Sequence, residues 1–203
     1  TLGEILLYNG KTIEAVYSAS NGGMTESNAN KWGGTQLPYL PIQKDEYDTQ
    51  IKWNVNINKQ QIDTTGLDLS DPEKWWNSNI EKDKGFTDNI KAWMSRNGYN
   101  NKQIKILSIS NLDLYKENTS SRTEKADLSF QFFVKDQFDV NGMLALQNMD
   151  MNAVSADTIR SFIGSNIMTS TLISDLSETS TTYSISGSGN GHGVGMSQHG
   201  ANN

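Results

Sequence analysis

Regularly spaced glycines near residue 190 limit what this chain can fold into. Glycine occupies every second position from 187 to 195. In an extended strand alternate residues point to opposite faces, so these glycines would share one face and leave bare backbone there. Because glycine in a strand loses chain entropy and packs nothing, we expect another chain segment or a ligand to approach this face closely. Spacing alone favours a tight backbone crossing and a functional site equally, but both histidines, His192 and His199, also lie here and favour a site.

Composition excludes several kinds of site. The 203-residue chain has no cysteine, so it can form neither a disulfide nor a thiolate metal site. Its formal charge of -6 argues against a nucleic-acid partner, because phosphates call for a basic surface. No run approaches the roughly 20 apolar residues of a membrane span, and the first residues do not resemble a signal peptide. We expect a soluble chain that meets any anionic polymer through neutral hydrogen bonds.

A β-hairpin is the strongest local prediction. Asn9-Gly10 separates the runs Glu4–Tyr8 and Lys11–Tyr17, and this dipeptide supplies the two positive-φ residues of a type I′ turn. The second strand leads into a loop of small and hydroxyl-bearing residues, 18–26, which we call the serine loop. Adjacent glycines in this loop expose backbone N–H groups.

Two helices are predicted in the middle of the chain. Ser70–Glu73 has the pattern of a capping box ahead of Trp75 and Trp76. A second helix is predicted to begin at Thr87 and to end at Gly98, with apolar residues at helical spacing between them. We predict that the tryptophans of this region belong to the core and do not form a sugar platform.

Alternating apolar residues predict further strands. Between Gln103 and Tyr115 the alternation shifts twice, which indicates a bulged strand, and 126–134 alternates without interruption. A polar turn between them predicts antiparallel pairing. Ser155 is expected to cap a short helix that ends at Gly164, and a last strand at 183–186 leads into the glycines. This order predicts an α+β fold, mainly antiparallel β-sheet with a starting hairpin and several short helices.

Three kinds of chemistry are open at this stage. Ser197 and His199 are two residues apart and could form a nucleophilic pair, but no acidic residue is clearly placed to orient the histidine. His192 and His199 could bind a metal only with a further ligand from elsewhere. The acidic residues of 45–48 are expected to form a solvated charge cluster, with an acid/base pair as the alternative.

Glycan binding is a fourth possibility. Sugars bind to aromatic faces and to hydroxyl, amide and backbone donors in a groove, and the serine loop and the glycine-rich stretch supply these groups. If the two segments converge, a neutral polar cleft results. The candidate substrate-binding residues are Ser18, Ser20, Gly22, Gly23, Thr25, Trp32, Tyr39, His192, Ser197 and Gln198.

Several segments carry a resemblance to a known family. They are Gly3–Lys11, Ala15–Glu26, Trp32-Gly33, Pro38–Leu40, Tyr47-Asp48, Asp157–Arg160, Ser170-Thr171 and, most specifically, Gly191–Ala201. Their sequences and order resemble the sporulation stage II protein D and amidase-enhancer family. The resemblance extends over residues 1–203 as a single domain of a larger protein, and residues 67–100 are longer than the family pattern and are expected to be a helical insertion.

The resemblance implies an extracytoplasmic bacterial protein that acts on peptidoglycan glycan strands, with a cell-wall amidase as a second partner and no cofactor. The best-known members are lytic transglycosylases, in which one glutamate acts as general acid and then as general base. That glutamate lies in a segment before the hairpin, and nothing in this sequence resembles the segment. The catalytic residue is therefore unknown. The domain is expected to be either part of a lytic transglycosylase or a non-catalytic module that binds glycan or helps an amidase.

Overall fold

The computed structural model of the chain describes residues 3–48 and 51–203. Its elements, in chain order, are β1 (Leu7–Tyr8), β2 (Lys11–Thr12), β3 (Tyr17–Ser18), α1 (Asn28–Trp32), β4 (Lys52–Asn58), a 3₁₀ helix (Pro72–Lys74), α2 (Lys84–Arg96), β5 (Ile104–Glu117), β6 (Thr123–Val134), β7 (Gln147–Ser155), α3 (Ala156–Ile163), β8 (Leu172–Glu178), β9 (Thr182–Ser188), β10 (Met196–Ser197) and α4 (Gln198–Ala201).

Two three-stranded antiparallel sheets dominate the fold. One has the order β4-β9-β8 and the other the order β5-β6-β7. The pairing of β5 with β6 has irregularities between Ile106 and Ser108 and between Ile109 and Asn111, which confirms the predicted bulged strand. Together with the starting hairpin and four short helices, the sheets confirm the predicted α+β class.

The main core lies between these sheets and the helices α2 and α3. Phe130 and Phe132 of β6 are almost fully buried against Ile90 of α2 and Ile159 of α3. Residue 90 belongs to the segment 67–100, so this segment contributes to the core, and its status as an insertion stays a prediction. None of the helices in the described residues is long and apolar enough to cross a membrane.

The tryptophans of the middle segment are core residues, as predicted. Trp75 and Trp76 are 5% and 4% exposed and pack with Ile62 and Leu107 in a second apolar cluster. The helix predicted to begin at Ser70–Glu73 is wrong, because the structure has only a single 3₁₀ turn there, at Pro72–Lys74. The hydroxyl of Ser70 donates a hydrogen bond to Asp68 (2.6 Å) and does not cap a helix.

The other predicted helices form, with one change of boundary. Helix α2 begins at Lys84, and Thr87, its predicted first residue, is buried inside it. Helix α3 agrees with the prediction at both ends. The Ser155 hydroxyl accepts a hydrogen bond from the Asp157 amide, and Gly164 follows the last turn.

The predicted hairpin is present but short. Asn9 and Gly10 have φ of 47° and 76°, as a type I′ turn requires. Only two residue pairs of β1 and β2 are in register, so the longer strands predicted on both sides are wrong. The chain leaves the hairpin because the Val16 carbonyl accepts a hydrogen bond from the Met196 amide (3.1 Å), where β3 pairs in parallel with β10.

Candidate functional site

The glycine-rich stretch 187–195, called here the glycine loop, is not the extended strand that its spacing predicts. Strand β9 ends at Ser188, and φ is positive at Gly189 (88°), Gly191 (110°), Gly193 (76°) and Gly195 (77°). A period of two fits both a strand and a chain in which every second residue has positive φ, so the pattern could not separate them. Glycine is required here because other residues rarely adopt this conformation.

The serine loop is the segment that approaches the glycine loop closely. Ser20 and Asn190 exchange backbone hydrogen bonds of 3.0 and 2.8 Å, and the Glu26 amide donates to the Gly193 carbonyl (2.9 Å). A Cβ at Gly195 would overlap the Val16 carbonyl. The expectation of a close neighbour is therefore confirmed, and the neighbour is another part of the chain.

Asp48 links the serine loop to Ser197, which follows the glycine loop. Its carboxylate accepts hydrogen bonds from the Ser20 hydroxyl (2.8 Å), the Asn21 amide (2.5 Å) and the Ser197 hydroxyl (2.5 Å), and its residue is 1% exposed. The predicted solvated cluster is therefore wrong for Asp48. Burial raises the pKa of this carboxyl, but the hydrogen bonds, with that of Ser197 the strongest, bring its pKa below the usual range.

The contacts of Ser197 do not support the nucleophilic pair. Its hydroxyl donates to Asp48 and accepts from the Gly200 amide (3.0 Å), so Ser197 caps α4. His199 is exposed and its amide donates to the Ala19 carbonyl (3.0 Å). Within residues 3–48 and 51–203, no group of three His, Asp or Glu side chains is arranged to hold a metal ion.

An open cavity of about 270 Å³ lies beside the crossing of the loops. Trp32 at the end of α1 is 54% exposed, and its ring meets the His192 ring edge-on with centroids 5.1 Å apart. Lys31, Asp157 and Arg160 form the charged side of this cavity. The Lys31 ammonium pairs with Asp157 (2.6 Å), which connects α1 to the first turn of α3.

His192 is held in one orientation. The Val194 amide donates a hydrogen bond to Nδ1 (3.0 Å), so the remaining ring proton of the neutral imidazole is on Nε2. Burial lowers the pKa of His192, and the nearby charges of Lys31 and Arg122 lower it further. His192 is therefore a neutral donor beside an aromatic face at pH 7, which suits contact with a sugar hydroxyl.

A second cavity, of about 390 Å³, continues from the first. Both are lined by Lys31, Asp157 and Thr171, so we treat them as one charged groove. Glu26 lies at its base and is 1% exposed. Its Oε1 accepts from the Ser27 amide (2.7 Å) and from the Asn30 side chain (3.0 Å).

The other carboxylate oxygen of Glu26 is also occupied. Oε2 accepts from the Asn118 amide group and from the Ser120 hydroxyl, both at 2.7 Å. Arg122 reaches the same hydroxyl with Nη1 (3.2 Å), so Ser120 lies between the buried cation and the buried carboxylate. All four donors to Glu26 belong to side chains or backbone of the described chain, and the carboxyl group has no free oxygen.

Arg122 is a buried cation without a carboxylate in direct contact among the described residues. It is 3% exposed, and Nη2 donates to the carbonyls of Asn21 and Met24, each at 3.0 Å. Its Nε has no hydrogen-bond partner in the described part of the chain. Burial lowers the pKa of Arg122 while the charge of Glu26 opposes this shift, but a guanidinium stays protonated at neutral pH.

The groove is not the neutral cleft that was expected. Its lining contains five cations and three carboxylates, which leaves a formal excess of two positive charges in a chain of net charge -6. The cations are Lys31, Lys116, Arg122, Lys125 and Arg160, and the carboxylates are Glu26, Glu124 and Asp157. Since they come from distant parts of the sequence, only the fold brings this excess together.

The predicted site residues fall into separate places. Trp32 and His192 share the charged groove. Ser20 and Ser197 meet at Asp48, while Gly22 of the serine loop packs against the Gly189 amide of the glycine loop. The remaining predicted residues lie as follows: Ser18 buried in β3, Gly23 bonded to the Asn21 side chain, Thr25 bonded to the carbonyls of Pro41 and Gln43, Tyr39 packed on Tyr8 at 5.5 Å, and Gln198 exposed on α4.

Whether any of these residues contacts a substrate stays a prediction. The groove also contains Glu26, Lys31, Arg122 and Arg160, which were not predicted as site residues. Glu26 and Arg160 do lie in the segments that carry the family resemblance, and this was the available signal. No sequence signal pointed to Lys31 or Arg122. They come together through contacts between residues about a hundred positions apart, such as that of Arg122 with Asn21.

Comparison with known proteins relates the chain to a bacterial protein. No protein-family model matches the chain. The chain is similar to the amidase enhancer of Bacillus subtilis (strain 168), with 38% identical residues over 202 positions. The match covers 99% of this chain and 28% of the relative, so the chain spans little more than a quarter of the relative's length. It therefore includes both the serine loop and the glycine loop.

Proposed function

Since the chain belongs to the amidase enhancer family over 99% of its own length, we propose that it is an extracytoplasmic cell-wall module. It binds peptidoglycan glycan strands in the charged groove and thereby assists a cell-wall amidase. The enhancement is a matter of local concentration, because a module that holds both wall and enzyme turns a bimolecular encounter into a local one.

The pair of Trp32 and His192 carries this proposal. A half-exposed indole beside a neutral imidazole N–H provides an apolar face and a polar donor at 5.1 Å between ring centroids. Sugar rings present the matching combination of apolar C–H face and hydroxyl groups. The adjoining cavity of about 390 Å³ gives the glycan room to continue past the first sugar.

Binding to purified sacculi tests the glycan part. Trp32→Ala should weaken co-sedimentation about tenfold or more, because truncation of an aromatic anchor costs ~2 kcal/mol. Phe138→Ala is the matched control, since Phe138 is also half-exposed (45%) but follows the far end of β6. Equal binding of wild type and Trp32→Ala would contradict the proposed groove.

Stimulation of an amidase tests the second part. The rate at which a cell-wall amidase releases stem peptides from sacculi should rise when the protein is added. Trp32→Ala should lose most of this rise at limiting protein concentration, and Phe138→Ala should keep it. A protein that binds sacculi but leaves the amidase rate unchanged would reduce the proposal to glycan binding.

Lytic transglycosylase activity is the second candidate, and it rests on the family resemblance. A transglycosylase needs a carboxyl group that can give a proton to the glycosidic oxygen and take one back. Each carboxylate of the groove is engaged: Asp157 with Lys31, Glu124 with Lys116 (2.8 Å), and Glu26 with its four donors. We therefore expect no anhydro-muropeptides from sacculi incubated with this chain, and their appearance in mass spectra would favour the enzyme.

A further inference from the structure

The cations of the groove differ in whether a carboxylate pairs with them. Of its five cations, Lys31 and Arg160 share one carboxylate, at 2.6 and 3.9 Å, and Lys116 pairs with Glu124. Arg122 and Lys125 have no ion pair with a carboxylate within the described residues. With the excess of two positive charges assigned to the groove, the rest of the chain carries a formal -8.

The positive field reaches the sugar-binding end of the groove. The charges of Lys31 and Arg122 act on the His192 ring, which packs against Trp32. A buried cation acts over a longer distance than an exposed one, because less water screens it. A ligand at Trp32 therefore lies near the net positive charge of the groove, to which Lys125 contributes in the neighbouring cavity, while Glu26 opposes part of the charge of Arg122.

We infer that the charged groove binds a carboxylate carried by the glycan, in the cavity bounded by Arg122 and Lys125, next to the sugar held at Trp32. The inference rests on the proposed glycan binding and goes beyond it by naming the charged group that is recognised. Lys125 supplies the accessible donor, since its ammonium bonds only to the Ala153 carbonyl (3.2 Å) among residues 3–48 and 51–203. Arg122 supplies fixed positive charge at the base, opposed in part by the buried carboxylate of Glu26.

Two sources of carboxylate are present in peptidoglycan, namely the acid group of the sugar itself and the acid groups of an attached peptide. Three probes separate them: neutral N-acetylglucosamine oligomers, peptide-free glycan strands, and strands of the same length that keep their peptides. In the last probe the sugar carboxyl is tied up as an amide. Affinities are measured by calorimetry with the 203-residue protein.

We expect at least one carboxylate-bearing probe to bind about tenfold more tightly than the neutral oligomers, as a charged hydrogen bond contributes this much or more. Preference for peptide-free strands assigns the sugar carboxylate, and preference for peptide-bearing strands assigns the peptide. The preference should shrink as salt is raised, because exposed charges are screened.

Lys125→Gln should remove roughly three- to fivefold of this preference and leave binding of the neutral oligomers within twofold. Lys102→Gln is the control, since Lys102 is exposed, pairs with Asp136 and lies outside the groove. Arg122→Gln should remove the preference for carboxylate-bearing probes altogether if this variant folds. If it does not fold, the result for Lys125→Gln alone tests the inference.

Equal affinity for all three probes would overturn the inference and leave the proposed glycan binding intact. An unchanged preference in Lys125→Gln would overturn it as well. If none of the probes binds, the proposed function itself is wrong, and the inference falls with it.

Discussion

The crossing of the two loops and the charged groove lie side by side, but backbone contacts form the first and aromatic and charged side chains form the second. At the crossing, backbone meets backbone, and the hydroxyls of Ser20 and Ser197 both donate to Asp48. In the groove, Trp32 is half-exposed, and the Nε of the nearby Arg122 has no partner among the residues that the structure describes. The unusual glycine and serine patterns of the sequence therefore build the scaffold. The groups that could contact a ligand belong to neighbouring residues with no unusual pattern.

The largest effect on stability is expected when a side chain is added where the glycine loop packs closely against the rest of the chain. Gly195→Ala would place a methyl group against the Val16 carbonyl at φ 77°, and we expect a loss of about 3–5 kcal/mol in unfolding free energy, measured in urea. Gly66→Ala separates the contact from the backbone strain, since φ is 75° there and a methyl group would meet nothing within 4 Å. It should cost only about 1–2 kcal/mol. Equal losses would mean that the crossing is not tightly packed.

Asp48→Asn should give the next largest loss, about 2–3 kcal/mol. An amide cannot accept from Ser20, Asn21 and Ser197 at once, and its own N–H₂ would face a donor. Asp136→Asn, which alters an exposed ion pair, should leave unfolding almost unchanged. Glycan binding by Asp48→Asn protein that is still folded should weaken only if the crossing also positions the groove.

The pH dependence of stability gives a smaller effect with a defined sign. The pKa of Asp48 is lowered in the folded chain, so its contribution is complete above the unfolded carboxyl pKa of about 3.9. It is lost as pH falls through the lower folded value. The difference in unfolding free energy between wild type and Asp48→Asn should stay constant from pH 7 to about 5 and decrease below about pH 4. A difference that decreases near pH 6 would point to a histidine instead.

The same contrast explains what could be predicted from sequence. Strands β5 and β6 and helix α3 follow from local rules, since alternation, helical spacing and the Ser155 cap are all written within a few residues. Asp48 was assigned to a solvated cluster because its local sequence is acidic, while its partner Ser197 is 149 positions away. The charge of the groove was missed for the same reason, since its cations assemble only through tertiary contacts.

The smallest effect expected is at His192, on the border between the crossing and the groove. Its pKa is lowered in the folded chain, so the unfolded chain takes up the proton first as pH falls below about 6.5. Wild type should therefore lose stability relative to His192→Gln between pH 6.5 and 5, by less than the Asp48→Asn effect. His199→Gln is the control, because His199 is exposed on α4. If both variants changed the profile equally, the Val194 bond and the charges of Lys31 and Arg122 would not govern His192, and the groove would lose its neutral donor.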